Sequence, residues 1–171
     1  VVVLSEQDVA AALCRRLQPA VFSALALYCG NAELAEDLTQ ETLLRVWKHW
    51  QSVSEMDHPD RWALRVAFNL AKSGWRRRRI ERAIDASRSL EQTRRPDPTD
   101  VILVRAAVAM LPPRQRAAIV VRYFNDLTVA DAAMVLGCAE GTVRALTHQA
   151  VANLRVHLGG DLEMLVEEGH G

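Results

Sequence analysis

Arg76, Arg77, Arg78 and Arg79 stand in succession, with Lys72 before them and Arg82 after, and Glu81 is the only acid between Lys72 and Arg82. On a helix such a run projects all round the axis, so four arginines cannot serve one salt-bridge network. Neutralising phosphate is the economical use, each contact adding a salt-dependent increment. Asn69 precedes the run. Its amide carries the paired donor and acceptor that read a base edge, and a structural cap or a solvent-facing amide fits the position equally well. The polar stretch Gln51–Asp60 reads as a loop where an unpaired base would be held, because single-strand binding combines a positive track with a pocket or stacking surface. Trp62, Phe68 and Trp75 interleave with the basic residues, and at this spacing aromatics belong more often to a core than to a base stack.

A second constellation is acidic. Asp37, Gln40 and Glu41 fall at i, i+3 and i+4, on one helical face with Lys48. Leu34, Leu38, Leu43, Val46 and Trp50 sweep round the other side. A solvated polar face and a docking face for a basic partner both fit. Trp47 lies on the polar side, where leaving an indole in water is costly, and an aromatic amid polar residues is an interface signature.

The third lies in Leu111–Arg155. Thr128 can cap a short helix, with Asp131 three residues on as a shortened capping box. Ala132, Ala133 and Leu136 give that helix a narrow apolar face. Gly137 ends it, since glycine readily takes the left-handed conformation at a helix C-terminus. Glu140 opens the next helix, where a carboxylate suits the positive end of the macrodipole, and Val143, Leu146, Ala150 and Leu154 repeat at helical spacing. A small helix, a glycine turn and a second helix with a polar outer face form a helix-turn-helix of the kind that enters a DNA major groove. An ordinary helical hairpin fits the same spacing.

Reaction chemistry finds no footing. The histidines (His49, His58, His148, His157, His170) are scattered, with no nucleophile–base or metal spacing. Cys14, Cys29 and Cys138 are far apart, match no zinc pattern, and read as free buried thiols of a reducing cytoplasm. No metal and no cofactor are expected.

The elements that position these residues are helical. Ala, Leu, Val and Arg are prominent and aromatics few, a mix that favours helix over sheet. Glu6–Tyr28 reads as a helix with Val9, Leu13, Leu17, Val21 and Leu25 on one side and a kink expected at Pro19. Ala32–Trp50 reads as a second helix, and Arg61 to about Ile84 as a third with a bend expected near Gly74. Ala86–Asp100, with two prolines and little to bury, reads as a flexible linker. Val101–Met110 opens a second helical unit, and Pro112-Pro113 restarts the chain into another helix. The formal net charge of zero hides a segregated surface: the arginine run, four acids between Glu33 and Glu41, and an acidic tail from Asp161. No stretch approaches the ~20 apolar residues of a membrane span, so a cytoplasmic protein without membrane insertion is expected. The fold expected is all-α: two small helical domains joined by a flexible linker, the second containing the helix-turn-helix.

These segments together resemble a family. AEDLTQETLLRVWKHW is similar to the core-binding helix of sigma-70-family transcription initiation factors, and HPDRWALRVAFNLAKSGWRRRR to the adjoining promoter −10 segment. LPPRQRAAIVVRYFNDLTVADAAMVLGCAEGTVR resembles their −35-binding domain. The short linker, with no larger middle domain, points to the extracytoplasmic-function (ECF) subfamily. The likeness runs over about residues 10–157 and rests on two independent motifs in the right order and at the right separation.

The resemblance implies region 2 over residues 5–84, a linker over 85–100, region 4 over 101–158 and an acidic tail over 159–171. It implies that Asp37, Gln40, Glu41 and Trp47 contact the polymerase core at the β′ clamp helices, with the β flap as a further contact of the core. Asn69 and the Gln51–Asp60 loop would capture a flipped −10 base, while Lys72, Arg76, Arg77, Arg78 and Arg79 hold backbone there. Thr128, Thr142, Arg144, His148 and Gln149 would face the −35 element. An anti-sigma factor is a further implied partner, and the family does no covalent chemistry itself. Two departures stand out. Ala139 replaces a usual capping Ser, whose loss costs ~1 kcal/mol. After Arg144 the family's common arginines are replaced by Ala145, Leu146, Thr147, His148 and Gln149, which implies a weaker −35 grip. The alternative is a free-standing helix-turn-helix regulator that binds an operator without polymerase. Such a protein has no need of the Asp37/Gln40/Glu41 face and would usually dimerise.

Overall fold

The computed structural model describes residues 5–84 and 99–158, with side chains over 5–74 and 104–158. The linker from residue 85 to 98 and the acidic tail from 159 lie outside the described residues. The chain divides into two compact units, Val1–Ser89 and Leu90–Gly171. Among the described residues there is no strand.

The first unit comprises α1 (Glu6–Cys29), α2 (Ala32–Lys48), α3 (Trp50–Ser54) and α4 (Pro59–Ile84). Ser5 starts α1 with a reciprocal capping box: its hydroxyl accepts from the Asp8 amide at 3.2 Å, and the Asp8 carboxylate accepts from the Ser5 amide at 3.0 Å. The Ser5 hydroxyl also donates to that carboxylate and holds it below the usual aspartate range. Gly30, at φ +67°, ends α1, and Asn31 caps α2 by accepting from the Leu34 amide at 2.8 Å. Helix α1 runs through Pro19, packs on α2 and α4, and buries Leu17, Val21, Leu25 and Tyr28. Val9 departs from the expected stripe: it is 43% exposed, and Ala10 takes the buried position at that end.

Helix α2 makes its contacts through a seam of small residues, Ala35, Thr39, Thr42 and Val46, all buried. The expected apolar side is corrected accordingly, since Leu34, Leu38, Leu43 and Trp50 are only half-buried. Two threonines are tolerated in the seam because each hydroxyl donates back to its own helix, Thr39 to the Ala35 carbonyl at 2.6 Å and Thr42 to Leu38 at 2.7 Å. Phe68 of α4 is fully buried and meets Tyr28 edge-on at 5.2 Å. The cysteines are free and half-buried, not fully buried. Burial still pushes the Cys14 thiol up, which favours its neutral form.

Two boundaries differ from expectation. Helix α2 stops at Lys48, and α3 follows across His49 with Val53 fully buried beneath it. Helix α4 begins at Pro59, because proline at the first helical position gives up no needed hydrogen bond. It continues unbroken past Gly74 to Ile84.

The second unit holds α5 (Thr99–Met110), α6 (Pro113–Ile119), a π-helical turn (Val120–Phe124), α7 (Val129–Leu136) and α8 (Glu140–Leu158). Helix α5 starts two residues earlier than expected, at Thr99, and places Asp100 in the first turn, where an acid is favoured. Helix α8 packs on α5, α6 and α7. Its buried line is Val143, Ala150 and Leu154, with Leu146 half-buried. Arg116 is buried on α6 and donates to the carbonyls of Ala109 and, at 3.0 Å, Leu111. It thereby satisfies oxygens at the end of α5 that the helix itself leaves open.

All four tryptophans lie in the first unit, so their fluorescence separates the two unfolding events. Arg116→Ala is expected to cost about 2 kcal/mol by orphaning those carbonyls. It should lower the midpoint of the circular-dichroism transition and leave the tryptophan transition in place. Phe68→Ala, at about 3–5 kcal/mol, should move the tryptophan transition instead.

Candidate functional site

On α2 the buried seam dictates what faces outward. Asp37 and Gln40 are exposed, and Glu41 is half-exposed in a 2.9 Å ion pair with Arg45. Trp47 is 45% exposed, as its place on the polar side predicted, and Leu44 is 53% exposed. Leu44 was missed by the sequence reading. It lies seven residues from Asp37 and three from Trp47, so a helical count from the acidic residues would have found it. An acidic and amide face with two large apolar side chains is built to be covered, because water gains nothing from Leu44 or Trp47.

On α4, Asn69 is exposed well inside the helix. The cap reading therefore falls, and a solvent-facing amide remains. Lys72 is half-buried one turn further on. Arg76–Arg79 are helical, but their side chains lie outside the described residues, as does that of Trp75. The aromatics divide as packing groups: Phe68 is core, and Trp62 is half-buried and edge-on to His49 at 6.1 Å. The expected loop Gln51–Asp60 is corrected, since α3 and α4 claim both its ends and only Glu55–His58 connects them. The Val53 anchor and the Pro59 start are the physical reasons.

The helix-turn-helix forms as the spacing predicted. Thr128 caps α7, its hydroxyl accepting from the Asp131 amide at 3.2 Å and donating to the Asp131 carboxylate at 2.7 Å. Gly137, at φ +67°, closes α7. Its Cβ position is open space, so the demand for glycine is one of backbone conformation and not of room. Across the turn the Thr142 and Val143 amides both reach the Ala139 carbonyl. Arg144 is exposed and paired with Glu140 at 2.9 Å. Thr142 is half-buried and His148 exposed. Gln149 is exposed and accepts a long 3.5 Å bond from Gln115 of α6, whose own amide oxygen receives Asn153 at 2.7 Å.

The π-helical turn had no signal in the sequence reading. The Asn125 amide bonds back to the Val120 carbonyl at 3.1 Å, and the widened turn leaves Tyr123 and Phe124 exposed above fully buried Val120 and Val121. Arg122 clamps it, donating to the Leu127 carbonyl and lying 5.9 Å from the Tyr123 ring centroid. Between this turn and α8 runs an open groove of about 340 Å³ edged by Arg122, Arg144, His148 and Arg155.

The family described as Sigma-70 region 2 matches residues 13–80, which span most of the first unit, and Sigma-70, region 4 matches residues 102–154. The ECF RNA polymerase sigma factor SigL of Mycobacterium tuberculosis is 37% identical over 137 residues, 75% of this chain and 77% of that protein. The chain belongs to the ECF sigma factors of the sigma-70 family. This sigma factor directs core RNA polymerase to specific promoters and initiates transcription there. The RNA polymerase sigma-E factor of Streptomyces antibioticus is 31% identical to it over 128 residues, 72% of this chain and 70% of that one. Among solved structures it is similar to the sigma factor RpoE of Bartonella quintana in complex with the anti-sigma factor NepR, with a TM-score of 0.78 and 25% identity over 88% of this chain and 97% of that one. CnrH in complex with the cytosolic domain of CnrY shares the fold, with a TM-score of 0.66 at 21% identity, covering 91% and 90%. The free-standing regulator reading gives way, because the first unit matches a sigma region and not an operator-binding appendage. Among the described residues no helix is long and apolar enough to cross a membrane.

The turn's energetics are testable. Ala139→Ser should add a side-chain acceptor at the start of α8 and raise the second unit's stability by about 1 kcal/mol. Gly137→Ala should lower it by about 1 kcal/mol, and Gly137→Asn by less. Thermal unfolding followed by circular dichroism reads all three.

Proposed function

We propose that the two units divide promoter recognition as region 2, over residues 5–84, and region 4, over residues 101–158. In the first unit Asp37, Gln40, Glu41 and Trp47, joined by Leu44, dock on the β′ clamp helices of core polymerase. The observation that carries this reading is the α2 face itself. Asp37, Gln40 and Glu41 share the outward side of α2 with Leu44 and Trp47, two large apolar side chains that the first unit does not bury. A basic, partly apolar partner helix satisfies both.

Asn69 and the Glu55–His58 connection capture a −10 base as the duplex opens, and Lys72 with Arg76–Arg79 neutralises the neighbouring backbone. In the second unit Thr128, Thr142, Arg144, His148 and Gln149 face the −35 element, and the β flap of the polymerase meets this unit. An anti-sigma factor holds the protein inactive, a reading supported by the solved relative bound to NepR. The factor works in the cytoplasm and carries out no reaction of its own: binding the opened strand drives melting, and polymerase makes the RNA.

Asp37→Arg/Glu41→Arg should abolish co-purification with core polymerase while the circular-dichroism melt stays intact. Undiminished capture by that folded variant overturns the docking assignment. In a separate test Arg76–Arg79 all changed to Ala should weaken holoenzyme–promoter affinity and flatten its dependence on salt. If the slope of log affinity against log salt stays unchanged, the run is a solvated face. Transcription from genomic fragments with purified core identifies the promoters in the same experiment.

A further inference from the structure

The groove between the π-helical turn and α8 is cationic on its rim and apolar on its floor. Arg122, Arg144, Arg155 and His148 edge it, and Val129 and Val151 lie below. Among the described residues that line it there is no acid. The buried Thr147 hydroxyl in its wall has no hydrogen-bond partner among the described residues. Such a site fits an acidic amphipathic segment, and the chain carries one directly after α8. Residues 159–171 read GGDLEMLVEEGHG, with Asp161, Glu163, Glu167 and Glu168 and no Lys or Arg. Leu162, Leu165 and Val166 fall at i, i+3 and i+4, the spacing of one helical face.

The reach is right. Arg155 lies in the last turn of α8, and His148 is ten residues before Leu158, about 15 Å along the axis. The two residues 159–160 are Gly-Gly, the length and composition that a tight helical hairpin would need. The eight residues Asp161–Glu168 would span about 12 Å as a helix, which brings Glu168 within a side chain's length of His148 and stops short of Arg144, fourteen residues and about 21 Å from Leu158.

We propose that this groove is the docking site of the chain's own acidic segment, residues 159–171, and that the docked segment masks the flank of α8 bearing His148. Leu162, Leu165 and Val166 cover Val129 and Val151, and the carboxylates face Arg122, His148 and Arg155. The docking stands on the groove and the segment alone. The masking rests on the assignment of α8 to the −35 element.

Two experiments on the full chain separate these statements. The second unit contains no lysine, so Arg155→Lys places a single amine on the groove rim. Zero-length carbodiimide coupling at low salt should join that amine to Glu167 or Glu168 within one chain, at a rate independent of protein concentration and suppressed by salt. Absence of that product overturns the docking, and so does coupling that grows with concentration, which would place a second copy in the groove. This readout involves no DNA and survives any failure of the −35 assignment. In the second experiment D161N/E163Q/E167Q/E168Q should bind a labelled random-sequence duplex roughly fivefold more tightly at low salt, with the gain fading as salt rises. The control E6Q/E33Q/E36Q/D60N removes as many charges from the first unit. Equal gains in the two variants would mean a net-charge effect and overturn the masking.

Discussion

Close helix–helix contact through small side chains is the constraint on which both halves of this protein depend. In the first unit Ala10, Ala24, Ala35, Thr39, Thr42, Ala63, Ala67 and Ala71 are buried beside the larger core side chains, and in the second Ala107, Ala117, Ala118, Ala132, Ala133 and Ala150. Small residues let axes approach toward the lower end of the usual 8–10 Å, so a thin seam suffices to hold each helix. A thin seam has a consequence for function. It frees most of the circumference of α2 and α8, and large or charged side chains can then be spent on partners. On α2, Leu44 and Trp47 remain outside because Ala35, Thr39, Thr42 and Val46 already satisfy the contact. The threonines need no water, since their hydroxyls are closed on the helix backbone.

The second unit adds rigidity through backbone-directed arginines. Arg116 ties the end of α5 to α6, and Arg122 ties the π-helical turn to Leu127. Both guanidiniums act on carbonyls, so the basic residues of this unit are not interchangeable phosphate ligands. Two are partly or wholly committed to structure. Arg105, Arg114, Arg144 and Arg155 are exposed, and of these Arg144 holds Glu140.

Much of the architecture was legible in the sequence because its punctuation is strong. Gly30, Asn31, the prolines at 112 and 113, Thr128 and Gly137 each have one favoured place at a helix end, and the helices begin or stop there. The acidic face of α2 was readable from residue spacing, and the same count places Leu44 on it, but a leucine beside Leu43 is easily taken for core until the seam is known. Periodicity alone also misplaced the α2 core, because a line of Ala, Thr and Val competes poorly with nearby leucines. The Gln51–Asp60 stretch looked like loop because it is polar, and a single buried valine was enough to wind half of it. The π-helical turn has no composition cue at all. It follows from tertiary demands, with Val120 and Val121 both buried while the chain turns toward α7.

The contrast between the two DNA-facing surfaces follows from the same accounting of cations. The proposed −10 segment concentrates basic residues on α4, and the proposed reading helix offers Arg144, which already holds Glu140. An exposed i, i+4 pair of this kind is worth about 0.3–0.5 kcal/mol. Breaking it for a phosphate costs little, so the pair does not bar Arg144 from a phosphate contact. Few counterions would be released by so sparse a surface, which predicts a weak hold on DNA by the second unit alone. Joined to the first unit on one polymerase, its encounter with DNA becomes intramolecular, and a high effective concentration replaces intrinsic affinity. A weak second site would then be an advantage: it adds selectivity to a bound complex, and under the proposed docking a few carboxylates would suffice to cover it.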